Sequence, residues 1–286
     1  MQLFRTVAGA LLVHNAEAFS LNEKWDVLIN RDNLHGYLLA KLNSAEEISP
    51  IQQAKWLSDA NILPPIGKQE VWAAGVTYLR SRDARMEESH DSGAASLYDM
   101  VYDAERPELF FKATAARVSG HHQPVYIRKD STWNVPEPEL ALFINSKGNI
   151  QGYTCGNDMS SRSIEGENAL YLPQAKIYEK SAALGPCLYV TSDPISGDTA
   201  IKIIIKRGGE AIYNEATTAS NIKRSFTELA GYLFRECDFP HGAYLMTGTC
   251  LVPSGDFTLQ ADDVVEITID GAGTLVNTVA YHPKHK

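Results

Sequence analysis

The chain has 286 residues, of which 44% are hydrophobic and 21% are charged, and its formal net charge is −9 at pH 7. A chain of this length and composition can bury a sizeable core and is typical of a soluble globular protein. The acidic balance and the lack of a Lys- and Arg-rich run in the sequence argue against nucleic-acid and membrane-surface partners, because both attract proteins through basic patches.

The cysteines and the N-terminus indicate the compartment. Cys155, Cys187, Cys237 and Cys250 are widely separated in the sequence, which favours free thiols in a reducing, cytoplasmic environment. The apolar run at residues 7–13 is too short to span a membrane, and we interpret it as a strand in preference to a signal peptide.

Residues 1–70 are predicted to form a small N-terminal α/β domain, and residues 71–286 a larger second domain. Two short strands, at residues 2–6 and 10–14, flank a turn of small residues. The proline-rich stretch at residues 61–67 has the composition of a connection and marks the predicted boundary.

Two helices are predicted from their capping residues. Ser44 and Glu47 have the Ser-x-x-Glu spacing of a capping box, although Pro50 interrupts the helix that they would start. Ser220 is placed to cap a longer helix that ends at Cys237 and carries an apolar stripe on one face.

Strands dominate the second domain. The predicted strands lie at residues 71–76, 140–144, 150–155, 201–206, 211–217, 245–249 and 264–269, with a last strand through Tyr281. Helices are few and βαβ alternation is lacking, so we expect an α+β fold, mainly β, with a mixed or antiparallel sheet closed into a roll or barrel. The long connection at residues 79–105 predicts a lid over a site or, alternatively, a solvated excursion.

Three acidic residues around one hairpin are the main chemical signal. Glu137 precedes a proline and is expected to be extended, so Glu137 and Glu139 should project from one face. A hairpin turn at residues 146–149 should return Asp158 to the end of the hairpin where the two glutamates lie. Carboxylates held together repel unless a cation or a shared proton intervenes, and oxygen ligands suit a hard ion such as Mg²⁺. Solvated surface charges are the alternative for this spacing alone.

Several motifs resemble one family. They are EPELA at residues 137–141, GYTCGNDMSSR at residues 152–162, Lys176 ahead of LGP at residues 184–186, and LMTGT at residues 245–249. In this order they resemble the fumarylacetoacetate hydrolase superfamily, and the likeness covers about residues 71–286. The resemblance implies a mixed β-roll or barrel catalytic domain, usually in a homodimer or a dimer of dimers. It also implies that Glu137, Glu139 and Asp158 hold Mg²⁺, with Mn²⁺ or Ca²⁺ as substitutes.

Further phrases resemble the dehydratase branch of this superfamily. They are RPELFFKAT at residues 106–114, DSTW at residues 130–133 and IEGENALYLPQAK at residues 164–176. This likeness implies a lyase of pentose degradation that removes water from a 2-keto-3-deoxy sugar acid, such as 2-dehydro-3-deoxy-D-arabinonate, giving 2,5-dioxopentanoate. Ser81 supports this branch, because the carbon–carbon-cleaving members have a His there for water activation. Ser163 departs from the family, which commonly has an acid there, and such a loss can lower metal affinity or activity.

The resemblance also implies roles for single residues. Lys176 and Glu108 should flank the substrate. Lys176 would be the base that takes a proton from C3; the alternative is that it is only a charge partner of a ligand acid. Glu108 would act as the acid or orient a water molecule; the alternative is that it is an ordinary surface residue. The predicted substrate-binding residues are Ser81, Arg82, Arg106, Thr247, Gly248 and Thr249, with surface ion pairs or a plain strand end as alternatives. His121 and His122 are interpreted as solvated.

Two other functions stay open. One is a metal-dependent acylpyruvate hydrolase or oxaloacetate-type decarboxylase of the same superfamily, which would need a substitute for the missing His; His90, in the predicted lid, is the nearest candidate. The other is a non-catalytic dimeric module with a vestigial acid cluster, which would bind neither Mg²⁺ nor Mn²⁺ near neutral pH.

Overall fold

Most of the described chain folds into strands. The structure, a computed structural model, describes residues 1–79 and 100–285. The strands are β1 Gln2–Thr6, β2 Gly9–His14, β3 Glu17–Leu21, β4 Glu46–Glu47, β5 Ile62–Leu63, β6 Glu70–Gly75, β7 Glu108–Thr114, β8 Val118–Ser119, β9 Val125–Ile127, β10 Asn134–Val135, β11 Pro138–Ile144, β12 Ile150–Asp158, β13 Ser160–Ser161, β14 Ala182–Tyr189, β15 Ala200–Arg207, β16 Glu210–Thr218, β17 Ala243–Met246, β18 Val264–Ile269 and β19 Gly273–Tyr281.

The helices are short. Those with both ends described are α1 Trp25–Ile29, α2 Leu34–Lys41, α3 Pro50–Trp56, α4 Arg162–Glu167, α5 Leu172–Lys176 and α6 Phe226–Leu233. The 3₁₀ turns are Ala115–Arg117, Ala169–Tyr171, Ala219–Asn221 and Pro283–His285. No helix among the described residues is long and apolar enough to cross a membrane.

Two large sheets build most of the fold, and β10 and β13 form a separate two-stranded sheet. In the larger sheet the strand order is β4-β3-β2-β1-β14-β12-β11-β17-β6-β7, with β5 paired to β1 and β8 paired to β14. In the smaller sheet the strand order is β16-β15-β18-β19-β9. Parallel and antiparallel pairs both occur, as predicted for a mixed α+β fold that is mainly β. Neither sheet closes on itself within the described residues, so the predicted closed barrel is wrong.

The main core lies between the two sheets. Leu142 of β11 packs in one apolar cluster with Ile203 of β15 and Ile267 of β18. Phe143, the next residue of β11, belongs to a second cluster on the opposite face of the larger sheet. Because β11 is buried on both faces, its sequence is a continuous apolar run rather than an alternation.

The larger sheet continues across the predicted domain boundary. Leu3 of β1 pairs with Leu188 of β14, so the first strand shares a sheet with the C-terminal part of the chain. Leu3 also packs in the same cluster as Phe143. The division into domains at residue 70 stays a prediction.

The predicted hairpin at residues 146–149 is confirmed, and the strands predicted at residues 201–206 and 211–217 form a second hairpin. Strand β11 pairs with β12 in antiparallel register, and β15 pairs with β16 through the turn at Gly208 and Gly209. Both glycines have positive φ, the conformation that a tight hairpin turn needs and that glycine adopts without strain.

The predicted capping box at Ser44 is wrong. The helix there begins at Pro50 and is capped by Ser49, which forms a capping box with Gln52. Proline is tolerated at the first helical position, because its missing N–H has no intrahelical partner there. Glu47, the other half of the predicted box, lies instead in β4.

The helix predicted from Ser220 to Cys237 is shorter than expected. Ser220 lies in a 3₁₀ turn, whereas Ser225 caps α6 by accepting a hydrogen bond from the Glu228 N–H. The helix ends at Leu233. Two serines five positions apart offered the same capping chemistry, and the sequence alone favoured the wrong one.

Candidate metal centre

The three predicted acids lie together. Glu137 directly precedes β11, Glu139 lies within it, and Asp158 ends β12. The pairing of these strands sets Asp158 beside Glu137, whose carbonyl oxygen accepts a 2.9 Å hydrogen bond from the Asp158 N–H. One carboxylate oxygen from each residue lies within 4.8 Å of the others, and all three side chains are buried. The predicted proximity is therefore confirmed.

Lys176, the last residue of α5, reaches into this cluster. Its Nζ lies 2.6 Å from Glu137 Oε2, 3.0 Å from Asp158 Oδ2 and 2.5 Å from Ser160 Oγ. The side chain is 1% exposed. The contact expected of a charge partner is present, and it also places the amine next to two of the acids.

Lys112 is a member of the cluster that the sequence reasoning missed. Its Nζ lies 2.5 Å from Asp158 Oδ1 and donates to the carbonyl oxygens of Met159, at 2.9 Å, and Lys176, at 2.6 Å. The side chain is fully buried. A lysine inside the apolar run of β7 was the signal, because lysine is almost never fully buried unless it is paired.

Arg162 adds a third cation. Its Nη2 lies 2.8 Å from Glu137 Oε1, and its Nε lies 3.8 Å from Glu165 Oε2. Arg162 begins α4, which is capped by Ser161. All three charged side chains are buried, so the arginine fixes the orientation of Glu137 from the side opposite Lys176.

Ser163, where the family commonly has an acid, belongs to a serine network. Its Oγ lies 2.9 Å from Ser131 Oγ and accepts a 3.2 Å hydrogen bond from the Thr132 N–H. Ser161 Oγ donates to the same Ser131 oxygen at 2.7 Å. Neutral hydroxyls thus hold the start of α4 against the segment before β10.

Glu139 is oriented by backbone rather than by a lysine. The Gly248 N–H donates to Glu139 Oε2 at 2.7 Å. Gly248 has a φ of +93°, and a Cβ there would lie 2.0 Å from Thr77 Oγ1, so glycine is required on both counts. Thr247 holds this turn, because its Oγ1 donates to the Leu140 carbonyl at 2.9 Å.

The pKa values of Glu139 and Asp158 are shifted in opposite directions. Burial, and then the nearby charges of Asp158 and Glu137, raise the pKa of Glu139 well above its ordinary value. Burial alone would also raise the pKa of Asp158, but the ammonium groups of Lys112 and Lys176 outweigh it and lower that pKa. Burial lowers the pKa of Lys112. Of these two acids, Glu139 is the one whose ionised form lacks sufficient neighbouring positive charge and would be stabilised by an added cation.

The donor set fits a hard divalent ion. Glu137, Glu139 and Asp158 offer oxygen only, their side chains are buried, and the pKa of Glu139 is raised well above its ordinary value. Mg²⁺ prefers carboxylate oxygens and retains positions for other ligands. The residues present thus match the ion that the resemblance implies.

Some of the other predicted site residues lie at the acid cluster, and others do not. A small cavity at the acids is lined by Gly75, Val76, Phe110, Gly248 and Thr249 among others. Glu108 begins β7 opposite Gly75. Arg106 instead lines a separate cleft, with its guanidinium 5.5 Å from the centre of the Tyr232 ring. Ser81, Arg82, His90 and most of the predicted lid lie outside the described residues.

The second group of metal-ligand side chains is at the surface. His122 Nε2 lies 3.2 Å from Asp59 Oδ2, and His121 is adjacent. His121 Nδ1 accepts a hydrogen bond from the Val276 N–H, so the neutral ring carries its proton on Nε2. A metal-binding histidine normally donates through its second nitrogen, so this arrangement argues against His121 as a metal ligand. The His122 side chain is 42% exposed, as predicted for a solvated residue, whereas that of His121 is only 13% exposed.

Comparison with known proteins identifies the family. The fumarylacetoacetate (FAA) hydrolase C-terminal family matches residues 84–280. This chain belongs to the fumarylacetoacetate hydrolase family. The predicted family is therefore confirmed.

Within the family, the chain is similar to sugar-acid dehydratases. It is 48% identical over 223 residues to a probable 2-keto-3-deoxyxylonate dehydratase of Haloferax volcanii, covering 77% of this chain and 75% of that protein. It is 37% identical over 287 residues to the 2-dehydro-3-deoxy-D-arabinonate dehydratase of Saccharolobus solfataricus, covering 98% and 96%. A solved 2-keto-3-deoxy-D-arabinonate dehydratase, complexed with magnesium and 2,5-dioxopentanoate, matches with a TM-score of 0.82 at 33% identity over 99% of both chains.

Proposed function

We propose that the protein is a Mg²⁺-dependent dehydratase that converts a 2-keto-3-deoxy sugar acid, such as 2-dehydro-3-deoxy-D-arabinonate, to 2,5-dioxopentanoate in pentose degradation. The observation that carries the proposal is the 37% identity, over 98% of this chain, to a dehydratase of that substrate. The buried acid cluster supports it, because it supplies the oxygen ligands such a reaction needs.

Glu137, Glu139 and Asp158 would hold the ion, with Mn²⁺ or Ca²⁺ as substitutes. Bound Mg²⁺ supplies Lewis-acid chemistry, which polarises a 2-oxo acid and acidifies the protons on C3. The protein's contribution is to keep the three acids oriented. Lys112, Arg162 and the Gly248 N–H each fix one carboxylate oxygen, and Lys176 contacts two, one of Glu137 and one of Asp158.

Lys176 is proposed as the base that removes the C3 proton. Its Nζ lies within 3.0 Å of Glu137 and Asp158, so it stands beside any group that these acids hold. Its contact with Ser160 Oγ fixes the amine from a third direction. The ion pairs keep the alternative role of charge partner open, and a variant described in the Discussion separates the two.

Glu108 is proposed as the acid. Removal of the C3 proton leaves an electron pair that expels the C4 hydroxyl, and Glu108 would donate the proton with which this hydroxyl leaves as water. Proton transfers from C5 to C3 and from the C5 hydroxyl to C4 then give the 2,5-dioxo acid. Glu108 starts β7 directly across from Gly75, which lines the cavity.

Substrate contacts are proposed for the residues that line the cavity. Gly248 and Thr249 border it next to the acids; the Gly248 N–H already donates to Glu139, whereas the Thr249 hydroxyl can donate to a substrate oxygen. The binding roles of Ser81, Arg82, Arg106 and Thr247 stay predictions. We also propose that the protein is cytoplasmic and forms a homodimer or a dimer of dimers.

A substrate panel tests the proposal. Purified protein with Mg²⁺ would be offered 2-dehydro-3-deoxy-D-arabinonate, an acylpyruvate and oxaloacetate, and the products followed by NMR. We expect 2,5-dioxopentanoate from the first and no cleavage of the others. Turnover of only the acylpyruvate or oxaloacetate would reject the dehydratase in favour of the hydrolase or decarboxylase, and inactivity on all three would favour a vestigial site.

A further inference from the structure

The side chain of Glu108 lies across the bare backbone of Gly75. The two residues are paired in the register of β6 and β7. A Cβ added at Gly75 would lie 1.8 Å from Glu108 Oε2, 2.6 Å from its Cδ and 3.3 Å from its Cγ. These are the three nearest heavy atoms, so the space that a side chain would take at position 75 is filled by the carboxylate of Glu108.

Backbone conformation does not account for this glycine. Gly75 is absent from the described glycines with positive φ, whereas Gly248 of the same cavity is among them. An alanine at position 75 would thus meet no backbone strain of the kind that positive φ imposes. The contact with Glu108 is the feature that a Cβ would disturb.

The contact occurs on the side of β7 that faces the metal centre. Glu108 and Phe110 are two residues apart and share one face of the strand. The Phe110 ring lies 5.7 Å from Lys176 Nζ, and both Phe110 and Gly75 line the cavity. The carboxylate of Glu108 therefore lies against one residue that lines the cavity, Gly75, and on the same strand face as another, Phe110.

We propose that Gly75 is a positioning residue that sets the carboxylate of Glu108 for proton transfer. Because even a methyl group would overlap Oε2 and Cδ, any side chain at position 75 must move the carboxylate away from its place. The backbone of Gly75 acts as the surface against which Glu108 is aligned. This inference rests on the acid role proposed for Glu108.

The activity test uses Gly75→Ala, Glu108→Gln and the double variant. Loss of a general acid typically costs about 10²–10⁴-fold in rate, and we expect Gly75→Ala to lower kcat toward the level of Glu108→Gln. The affinity for Mg²⁺, measured by calorimetry, should not change. In the Glu108→Gln background Gly75→Ala should lower kcat no further, because it acts through the group already removed. Gly231→Ala in α6 is the matched control, since nothing lies within 4 Å of a Cβ there.

A double-mutant comparison of thermal unfolding tests the contact between position 75 and Glu108 without measuring turnover. Gly75→Ala should change Tm less favourably in the otherwise unchanged protein than in Glu108→Ala, which lacks the three atoms that a Cβ would meet. Equal changes of Tm in both backgrounds, or full activity of Gly75→Ala while Glu108→Gln is inactive, would overturn the role of Gly75 alone. Full activity of Glu108→Gln would instead reject the acid role of Glu108, and the positioning role with it.

Discussion

The ammonium group of Lys112 lies 2.5 Å from Oδ1 of Asp158, and the two side chains are only 0% and 1% exposed. Replacing Lys112 with Met would leave Asp158 with one of its two lysine partners. Breaking a buried ion pair typically costs about 3–5 kcal/mol, so we expect the free energy of unfolding of the metal-free protein to fall by about 3 kcal/mol. Urea denaturation measures this.

Lys206→Met is the matched control for Lys112→Met. Lys206 Nζ lies 2.6 Å from Glu266 Oε1, but the side chains are 36% and 23% exposed. Pairs that solvent reaches contribute about 0–1 kcal/mol, so this variant should unfold at nearly the original urea concentration. Equal losses of stability in the two variants would show that burial does not increase the contribution of the Lys112 ion pair to the free energy of unfolding.

Binding of Mg²⁺ should release protons. The pKa of Glu139 is raised well above its ordinary value of 4.5, first by burial and then by Asp158 and Glu137. Metal ligands must be deprotonated, so Mg²⁺ affinity should rise with pH through the range in which Glu139 titrates. Calorimetry in two buffers of different ionisation enthalpy measures the released protons. Affinity that is constant with pH, with no proton release, would contradict the ligand role of Glu139.

Glu139→Gln should stabilise the metal-free protein while abolishing Mg²⁺ binding. A carboxyl with a raised folded-state pKa contributes stability below pH 4.5 that is lost as the pH rises through the folded pKa. A neutral amide avoids this loss, and its oxygen can still accept from the Gly248 N–H. We therefore expect the free energy of unfolding at neutral pH to rise. Urea denaturation without metal checks the sign. A less stable variant that still binds Mg²⁺ would refute this account of Glu139.

Lys176→Arg separates the two roles of Lys176. Arginine keeps the positive charge beside Glu137 and Asp158 but does not deprotonate in proteins, so it cannot act as a base. If Lys176 is the base, the variant should still bind Mg²⁺ but lose the exchange of pyruvate methyl protons in D₂O, followed by NMR. Retained exchange would leave Lys176 with the charge-partner role only.

The acid cluster could be predicted because local rules determine it. Glu137 precedes a proline, and the hairpin turn then fixes which end of β12 meets it, so the three acids converge without knowledge of the rest of the fold. Lys112 lies 47 positions before Met159, whose carbonyl it contacts. Such a contact depends on how α5, β7 and β12 pack, which no local pattern specifies.

The errors in the predicted fold have the same origin. Ser44 and Ser220 satisfy capping rules, yet Ser49 and Ser225 cap the helices, since several serines compete and tertiary packing decides between them. Several strands were predicted well because buried strands such as β11 are strongly apolar, but β14 was not predicted, and the strand predicted at residues 245–249 lies instead at Ala243–Met246. Closure into a barrel depends on whether the edge strands of a sheet pair with each other. The apolar pattern of a single strand gives no information about that pairing.

The most direct test of the metal centre is a crystal structure of the protein soaked with Mg²⁺ and pyruvate. We predict one ion with carboxylate oxygens of Glu137, Glu139 and Asp158 at about 2.0–2.1 Å, with the 2-oxo acid beside it and Lys176 Nζ near the methyl carbon. An ion bound elsewhere, or three acids that bind no ion while pyruvate is present, would contradict the account.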